Sequence, residues 1–389
     1  MHLTREEERM YQGTDGETLE RAMQILVALG DIYGADRLVQ VRSVQIAGVS
    51  FKNIGEAGLE WISSLQGQVA VPSILNPAGM DLCRWREMGI EEEFAVQQFR
   101  VVEAYRRLGV SVECTCTPYQ LYASLAGQGD HLAWSESSAV AYANSVIGAR
   151  TNREGGPSAL AAALVGKTAL YGYHLDQNRV PTHSICVEAD LLEAADYGAL
   201  GFSAGRAVGG GVPIFSLNCQ PSPDHLKALG AALAASGSVA LYYVEGADLK
   251  PPWRDREEDI IITKEDIRHV YQEHPAQGAD LIALGCPHCS EAELEQIAGL
   301  LEGQRVRTDL WICTARGIAE RRPDLVRRIE ATGARVLCDT CMVVSPATER
   351  YRRVLVNSGK ALAYLPGLCG TQAAFGNIEC CIRHAVGGS

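Results

Sequence analysis

Along the chain, apolar residues recur in two patterns, one typical of amphipathic helices and the other typical of buried strands. In the first third of the sequence, apolar positions at helical spacing predict helices over residues 17–33, 56–65 and 91–108. Short apolar runs in the same third predict strands over residues 38–47, 68–75 and 110–114. Because strands and helices alternate, we predict an α/β fold with mostly parallel sheets flanked by helices.

The last third of the sequence alternates most regularly. Strands are predicted over residues 280–285, 306–313 and 335–337, with helices between them over residues 290–301 and 317–331. This order is typical of a parallel sheet with right-handed crossovers. No internal repeat or long linker divides the sequence, and we predict two α/β regions, residues 1–225 and 226–389, whose elements can interleave in space.

Composition and charge exclude several classes of protein. Hydrophobic residues make up 47% of the 389 residues and charged residues 21%, as in ordinary globular proteins. The net charge of −12 argues against non-specific binding to nucleic acid, which needs a basic surface, but allows a local basic pocket for a small anionic substrate. No run approaches the roughly 18 apolar residues of a membrane span, and the charged start lacks a signal-peptide core. We therefore expect a cytoplasmic protein that binds neither nucleic acid nor membrane.

The sequence contains thirteen cysteines, which stay reduced in the cytoplasm and are expected to be mostly small core residues, Cys186, Cys219 and Cys313 among them. In parallel sheets, ligands gather beyond the carboxyl ends of the strands. Cys286 and Cys341 follow predicted strands at such ends, and Cys116 follows the strand predicted over residues 110–114. These cysteines are therefore the best candidates for chemistry.

The same cysteines also occur in two C-x-x-C pairs, which raises the alternative of structural zinc. Cys286 pairs with Cys289, and Cys338 pairs with Cys341. Zinc ribbons place roughly 15–20 residues between such pairs, whereas here the pairs are much further apart and regular strand–helix structure is predicted between them. A zinc ribbon is therefore disfavoured, and a thioredoxin-like redox role is weaker still.

Residues 134–158 form the most distinctive segment, in which hydroxyl groups, amides and two arginines are mixed with small residues. The planar guanidinium groups of Arg150 and Arg153 are suited to holding a carboxylate or phosphate. Together with residues 116–119, this segment closely resembles the aconitase X family. The resemblance covers nearly the whole chain and includes residues 48–50, 76–77, 285–288, 339–341 and 357–360.

The resemblance implies an aconitase-like hydro-lyase that carries a [4Fe–4S] cluster on three cysteines, Cys116, Cys286 and Cys341. Three thiolates leave one iron free to polarise a leaving hydroxyl group. The resemblance further implies substrate-binding positions, most of them in region 1–225: Gly48, Val49, Ser50, Asn76, Pro77, Glu136, Ser137 and Lys360. Two of the three cluster cysteines lie in region 226–389.

Members of the family dehydrate either (R)-5-phosphomevalonate, in a mevalonate pathway, or cis-3-hydroxy-L-proline. Hydroxyproline-type members often replace the cysteine that matches Cys286, and its presence here favours phosphomevalonate. Hydroxyproline stays the alternative substrate. A non-catalytic metal-binding scaffold is a remote alternative, disfavoured by the retained cysteines and by Arg150, Arg153 and Lys360. The glycine-rich residues 205–211 lack both the phosphate-loop ending and the dinucleotide fingerprint, and we interpret them as a loop.

Aconitase-like enzymes also carry a smaller swivelling domain, which in this family is thought to supply a serine as the base. The sequence ends at Ser389 without room for such a domain, so we expect a separate small subunit to complete the active site. No catalytic base is assigned within this chain. Among the histidines, only His288, beside Cys286, is expected to support the cluster site.

Overall fold

The computed structural model describes residues 1–252 and 258–388. The first part of the chain contains α1 (Arg5–Tyr11), α2 (Glu17–Tyr33), β1 (Leu38–Gln40), β2 (Val44–Ile46), α3 (Phe51–Ser64), β3 (Ser73–Leu75), α4 (Glu92–Arg107), β4 (Ser111–Cys114), β5 (Ala133–Trp134), α5 (Ser137–Tyr142), α6 (Gly156–Val165) and β6 (Lys167–Ala169). Four strands form a parallel sheet in the order β4-β3-β2-β5, and β1 pairs with β6 in the antiparallel sense. Helices α2, α3, α4 and α6 bury their apolar residues in one core with this sheet.

The middle part of the chain contains β7 (His183–Glu188), α7 (Ala194–Val208), β8 (Pro213–Ser216), α8 (Pro223–Gly237), β9 (Tyr243–Val244), β10 (Glu258–Thr263) and α9 (Lys264–Glu273). Its strands form a second parallel sheet in the order β10-β7-β8-β9. Helix α8 begins with a capping box at Ser222, in which the serine and His225 satisfy the exposed N–H groups of the first turn. This cap fixes the start of the helix that later reaches the cysteine segments.

The last part contains β11 (Leu281–Cys289), α10 (Glu291–Leu300), β12 (Asp309–Thr314), α11 (Arg316–Arg321), α12 (Pro323–Glu330), β13 (Arg335–Leu337), β14 (Arg353–Val356), α13 (Gly359–Cys369), β15 (Gln372–Phe375) and α14 (Ile378–Ala385). Its five strands form a third parallel sheet in the order β13-β12-β11-β14-β15. Strand β11 is buried along its whole length, as expected for the central strand of a covered parallel sheet.

The predicted α/β fold with mostly parallel sheets is confirmed, and several predicted elements differ in detail. The strand predicted over residues 38–47 is divided into β1 and β2, which belong to different sheets because the chain between them bonds to Gly166 and His131 instead. The helix predicted over residues 317–331 is divided into α11 and α12, since Pro323 starts a new helix. Residues 205–208, interpreted as loop, are the last turn of α7.

The second sheet bears on the predicted division of the chain into residues 1–225 and 226–389. Its strands come from both sides of that boundary, with β7 and β8 before it and β9 and β10 after it. The two-region division stays a prediction. Within the parts of the chain that the structure describes, no helix combines the length and the apolar character needed to cross a membrane.

Candidate functional site

Three buried cysteines from separate segments meet at the ends of strands. Cys116 follows β4, Cys286 lies near the end of β11, and Cys341 follows β13. The peptide N–H of His288 donates a hydrogen bond to the Cys116 thiol over 3.1 Å. The thiols of Cys286 and Cys341 are hydrogen-bonded to each other. The structure therefore brings the three predicted ligand cysteines together, and each is between 2% and 7% exposed.

The end of β11 departs from regular strand geometry around Cys286, the strand residue that lies beside the other two thiols. Gly285 has a φ of 93°, a conformation that glycine adopts without strain. A Cβ atom at this position would lie 2.1 Å from the carbonyl oxygen of Cys313, so no other residue fits. The pairing register between β11 and β12 shifts between Leu284 and Cys289, and Cys286 lies within the bulged residues.

The imidazole of His288 is fully buried, and both of its ring nitrogens have partners. Nε2 lies 2.9 Å from the carbonyl oxygen of Thr340, and Nδ1 lies 3.0 Å from Oγ1 of Thr115. Burial lowers the pKa of His288 to about 4, so the ring is neutral at pH 7. Because a carbonyl oxygen only accepts, Nε2 carries the hydrogen and Nδ1 accepts from the Thr115 hydroxyl.

The thiols differ in pKa because of burial and of their mutual hydrogen bond. Burial raises the pKa of Cys116 to about 12. The bond between Cys286 and Cys341 raises the pKa of Cys286 and lowers the pKa of Cys341, which therefore favours the thiolate. The nearby ammonium of Lys360 acts to lower the pKa of all three thiols. Since the thiolate is the form that binds metals, this local charge favours a ligand role.

A buried ion pair between Glu136 and Lys360 lies beside the thiols. Glu136 caps the start of α5, and Lys360 lies in the first turn of α13. Lys360 also donates to the hydroxyl of Ser138 over 3.2 Å, and Ser137 donates to Glu136 over 3.4 Å. Burial alone would raise the pKa of Glu136, but the Lys360 charge and the hydrogen bonds from Lys360, Asn76 and Ser138 together outweigh burial and lower it. Glu136 likewise raises the pKa of Lys360 against the effect of burial, so both groups stay charged at neutral pH.

The loop after β2 carries Gly48, Val49 and Ser50 to the edge of this site. Gly48 has a φ of 79°, which turns the chain between β2 and α3. Gln98 of α4 donates to the carbonyl oxygen of Val49 over 2.8 Å, and Ser50 donates to the carbonyl oxygen of Val344 over 3.0 Å. The loop is therefore tied to the segment that follows Cys341. Sequence reasoning missed Gln98, because a glutamine within a helix carries no distinguishing signal.

The loop after β3 carries Asn76 and Pro77 against the same segment. The N–H of Ala78 donates to the carbonyl oxygen of Asp339 over 2.7 Å, and Ala78 forms an isolated parallel bridge with Thr340. The Asn76 side chain hydrogen-bonds to Glu136, while its Oδ1 is buried with no partner. The loops after β2 and β3, Glu136 and Lys360 thus lie in or against the segments that carry the cysteines, and their role in substrate binding stays a prediction.

An ion network beside Cys341 was not anticipated from the sequence. Asp339 has a φ of 63°, a backbone conformation that only glycine, asparagine and aspartate adopt at all readily. Nε of Arg316 donates to both of its carboxylate oxygens, over 3.1 and 3.2 Å, and Arg316 also donates to Asp81 over 3.0 Å. Asp81 in turn accepts from the N–H of Cys338 over 2.8 Å. The network fixes the turn between β13 and Cys341.

The two arginines predicted to hold an anion lie at different ends of β5. Arg150 forms a bridge with His131, at the amino end of β5, and is paired with Asp176. Glu136 follows the carboxyl end of the same strand, so this placement argues against Arg150 as a substrate ligand. Arg153 is exposed and lies next to Glu154, whose N–H donates to the carbonyl oxygen of Trp134 at the carboxyl end. A substrate role for Arg153 stays a prediction.

The remaining cysteines correct one expectation. Cys313 is a buried residue of β12, as expected, but Cys186 and Cys219 are exposed rather than in the core. Cys186 lies on the outer face of β7, where side chains alternate between core and solvent, and Cys219 lies in the loop after β8.

The donor set fits an iron–sulfur cluster better than a preformed ion site. Among residues 1–252 and 258–388, no group of three or more histidine, cysteine, aspartate or glutamate side chains is already arranged around a metal ion. Three buried thiols nevertheless face one another, and one of them has a lowered pKa. Buried polar atoms without partners also occur in the same segments, on Asn76 and Thr340. Soft thiolate ligands in a buried site are what such clusters require.

Comparisons with known proteins agree with these features. Family models of the first, second and third domains of aconitase X match residues 1–177, 181–272 and 279–387. A phosphomevalonate dehydratase large subunit from Methanosarcina mazei is 60% identical over 100% of this chain and 98% of its own length. A cis-3-hydroxy-L-proline dehydratase from Pseudomonas aeruginosa is 35% identical, and the match covers 98% of this chain and 69% of that protein.

The solved structures include one that matches nearly the whole chain. A crystal structure of Thermococcus kodakaraensis aconitase X in its holo form superposes with a TM-score of 0.92, at 43% identity, over 99% of this chain and 100% of that one.

Proposed function

Because the chain belongs to the aconitase X family, we propose that it is the large subunit of a hydro-lyase that removes water from (R)-5-phosphomevalonate. The 60% identity over the entire chain to a phosphomevalonate dehydratase large subunit carries this proposal. The cis-3-hydroxy-L-proline dehydratase from Pseudomonas aeruginosa is much less similar to this chain, and the match covers only 69% of that protein. The reaction is the loss of a hydroxyl group and a neighbouring proton from a small molecule that carries a carboxylate and a phosphate.

The cofactor that the site would hold is an iron–sulfur cluster, and we assign Cys116, Cys286 and Cys341 as its ligands. Their burial, their proximity and the hydrogen bond that lowers the pKa of Cys341 support this assignment. When bound through three thiolates, a [4Fe–4S] cluster has one iron without a protein ligand, which supplies a Lewis acid for a leaving hydroxyl group.

The side chains around the thiols provide charge and hydrogen bonds for a small anion. Lys360 is a buried cation whose charge acts on all three thiols, and its ammonium can exchange the Glu136 carboxylate for a carboxylate or phosphate oxygen of the substrate. The loop from Gly48 to Ser50 presents backbone N–H groups at a strand end, which are suited to an anionic oxygen. Asn76, with a free Oδ1, can accept a hydrogen bond from a substrate hydroxyl.

The relatives are named large subunits, which implies a smaller partner subunit. We propose that this partner carries the base that takes the proton and that it closes the site. In this chain, the titratable groups closest to the thiols are already engaged. Glu136 is paired with Lys360, and both ring nitrogens of His288 have hydrogen-bond partners.

The test uses the complex of large and small subunits, prepared without oxygen. Each substrate is supplied to the complex in a separate assay. We expect (R)-5-phosphomevalonate to be consumed and cis-3-hydroxy-L-proline to be left unchanged. Lys360→Ala should lower turnover roughly ten- to a hundredfold, because a charge-assisted hydrogen bond contributes about 1.5–3 kcal/mol. The double variant Lys360→Met/Glu136→Gln leaves no unpaired buried charge, and it should fold normally and still lose turnover. Consumption of hydroxyproline alone would overturn the substrate assignment.

A further inference from the structure

His288 contacts all three cysteine segments with different atoms. Its peptide N–H donates to the Cys116 thiol over 3.1 Å, and its ring joins Thr115 to Thr340. Thr115 is the neighbour of Cys116, and Thr340 is the neighbour of Cys341. His288 itself follows Cys286 by one intervening residue. A single side chain therefore links segments that come from the first and the third parallel sheets.

The directions of the hydrogen bonds in this link follow from the Thr340 carbonyl when the ring carries one hydrogen, and the Thr115 hydroxyl also lies 3.2 Å from that of Thr117. The carbonyl oxygen of Thr340 can only accept, so Nε2 of His288 donates and Nδ1 accepts from the Thr115 hydroxyl. The Thr115 oxygen in turn accepts from the N–H of Thr117 over 3.1 Å. On the other side, the carbonyl oxygen of His288 accepts from the buried ammonium of Lys227 over 3.4 Å. Every polar group of His288 is thus engaged.

We propose that His288 is a positioning residue, which holds the Cys116 and Cys341 segments at the separation that an iron–sulfur cluster needs. The inference rests on the cofactor in the proposed function. Partners behind metal ligands commonly fix the ligands' orientation, and their loss typically costs about 10–100-fold in metal affinity. A histidine suits this place because its two nitrogens lie on opposite sides of a rigid ring, so it reaches two segments at once.

A histidine elsewhere in the chain separates positioning from simple stabilisation of the fold. His174 is also buried, and its Nδ1 lies 2.9 Å from Nδ1 of His131. It lies near Arg150, at the amino end of β5, and its ring is paired with His131 rather than with a cysteine segment. Replacement of His174 should therefore reduce stability without changing a cluster bound at the other end of the sheet.

The experiment compares His288→Phe, His288→Gln and Thr115→Val with His174→Phe in the complex, anaerobically and after reconstitution with iron and sulfide. Two quantities are measured, the rate at which a chelator removes iron and the electron paramagnetic resonance spectrum of the reduced cluster. Melting temperatures of the iron-free proteins show how far each variant is destabilised. Phenylalanine at position 288 keeps the volume of the ring but cannot hydrogen-bond to Thr115 or Thr340. Glutamine can still bond to one of these two partners, and Thr115→Val removes the hydroxyl group that bonds to Nδ1.

We expect His288→Phe to lose iron about 10–100-fold faster than wild type with an altered spectrum. His288→Gln and Thr115→Val should lose iron at rates between those of His288→Phe and wild type. His174→Phe should match wild type in both the rate of iron loss and the spectrum. The inference is wrong if His288→Phe keeps the wild-type rate and spectrum, or if His174→Phe changes them equally at a similar loss of melting temperature. If wild type itself binds no cluster, the cofactor assignment fails instead.

Discussion

At the scale of single residues, the site combines buried thiols with the buried ammonium of Lys360 in an acidic protein. The chain has a net charge of −12, yet the Lys360 ammonium acts to lower the pKa of Cys116, Cys286 and Cys341 together. A local positive charge favours thiolates and attracts an anionic substrate, whatever the sign of the surface as a whole. The same charge is balanced by Glu136 while no substrate is bound.

The first prediction concerns the three thiols as ligands. Replacing Cys116, Cys286 or Cys341 by serine should each remove most of the iron and the brown colour, because a hydroxyl is a poor ligand for an iron–sulfur cluster. Iron and sulfide analysis of anaerobically purified protein measures the effect. Cys381→Ser is the matched control, since Cys381 is equally buried but lies in α14, away from the site. Full iron retention in all three variants would contradict the assignment.

The second prediction concerns Glu154, a buried carboxylate near the site that has no cationic partner among residues 1–252 and 258–388. Burial raises its pKa, against the effect of hydrogen bonds from Ser158 and Thr168. A group whose pKa is raised on folding contributes stability below its unfolded pKa, near 4.3, and loses that contribution as the pH rises through the folded value. Glutamine stays neutral. Glu154→Gln should therefore become more stable relative to wild type as the pH rises from 4 to 8.

Melting temperatures of both proteins across this pH range measure the effect of Glu154. Each unit of pKa shift corresponds to about 1.4 kcal/mol of stability. Any fixed cost of the amide group is independent of pH and does not affect the comparison. The exposed Glu60, changed to glutamine, provides the control and should follow wild type at every pH. A constant difference between Glu154→Gln and wild type across the range would refute the raised pKa.

Sequence reasoning at this scale found the residues whose chemistry is visible in short motifs and missed those that act through long-range contacts. The cysteines and Lys360 belong to recognisable segments, and the structure brings them together. Gln98 and Arg316 gained their roles only from contacts with residues far along the chain. Arg150 also belongs to a recognisable segment, but its guanidinium group forms an ion pair with Asp176. Residue type alone cannot distinguish these cases.

At the scale of elements, the site depends on where parallel strands end. Strands β2, β3 and β4 of the first sheet and β13 of the third are each followed by a site loop or site cysteine, and Cys286 lies near the end of β11. The rule that ligands collect at carboxyl ends made this much predictable from the order of strands. The bulge in β11 and the left-handed turn at Asp339 were not predictable, because each depends on a close approach between two strands or loops.

The third prediction tests the ion network that fixes the turn before Cys341. Arg316→Gln leaves two buried carboxylates, Asp81 and Asp339, close together without a cation. Breaking a buried ion pair on one side costs about 3–5 kcal/mol, so we expect a large fall in the melting temperature and faster loss of iron. Arg322→Gln removes an ion pair with the more exposed Asp324 on the neighbouring helix, and it should change the melting temperature and the rate of iron loss little, because solvent screens exposed ion pairs. Equal effects of the two variants would show that the network has no special role.

At the scale of the whole molecule, the site is shared between distant parts of the chain. The first part supplies Cys116, Glu136 and the loops after β2 and β3, and the last part supplies Cys286, Cys341 and Lys360. The middle part reaches the same place through Lys227 of α8, which bonds to the carbonyl oxygen of His288. Assembly of the site therefore requires all three parallel sheets to be in place. The overall class of fold was predictable from the alternation of elements, but the division into three parallel sheets was not, because strand pairing depends on contacts between residues far apart along the chain.

The last prediction follows from the state of the titratable groups in this assembled site. A dehydratase needs a base that can accept a proton from carbon, and an effective base is within reach of that proton and not already bound. In the part of the chain that the structure describes, Glu136 has a lowered pKa and is held by Lys360, and His288 has both ring nitrogens occupied. We therefore expect the isolated chain to bind its cluster but to turn over substrate at background rate, and the addition of the small subunit to restore activity. Anaerobic assays over a range of subunit ratios measure this, and a mixture with the Cys286→Ser chain, which should stay inactive, is the control. Turnover by the isolated chain at the rate of the complex would place the base within this chain.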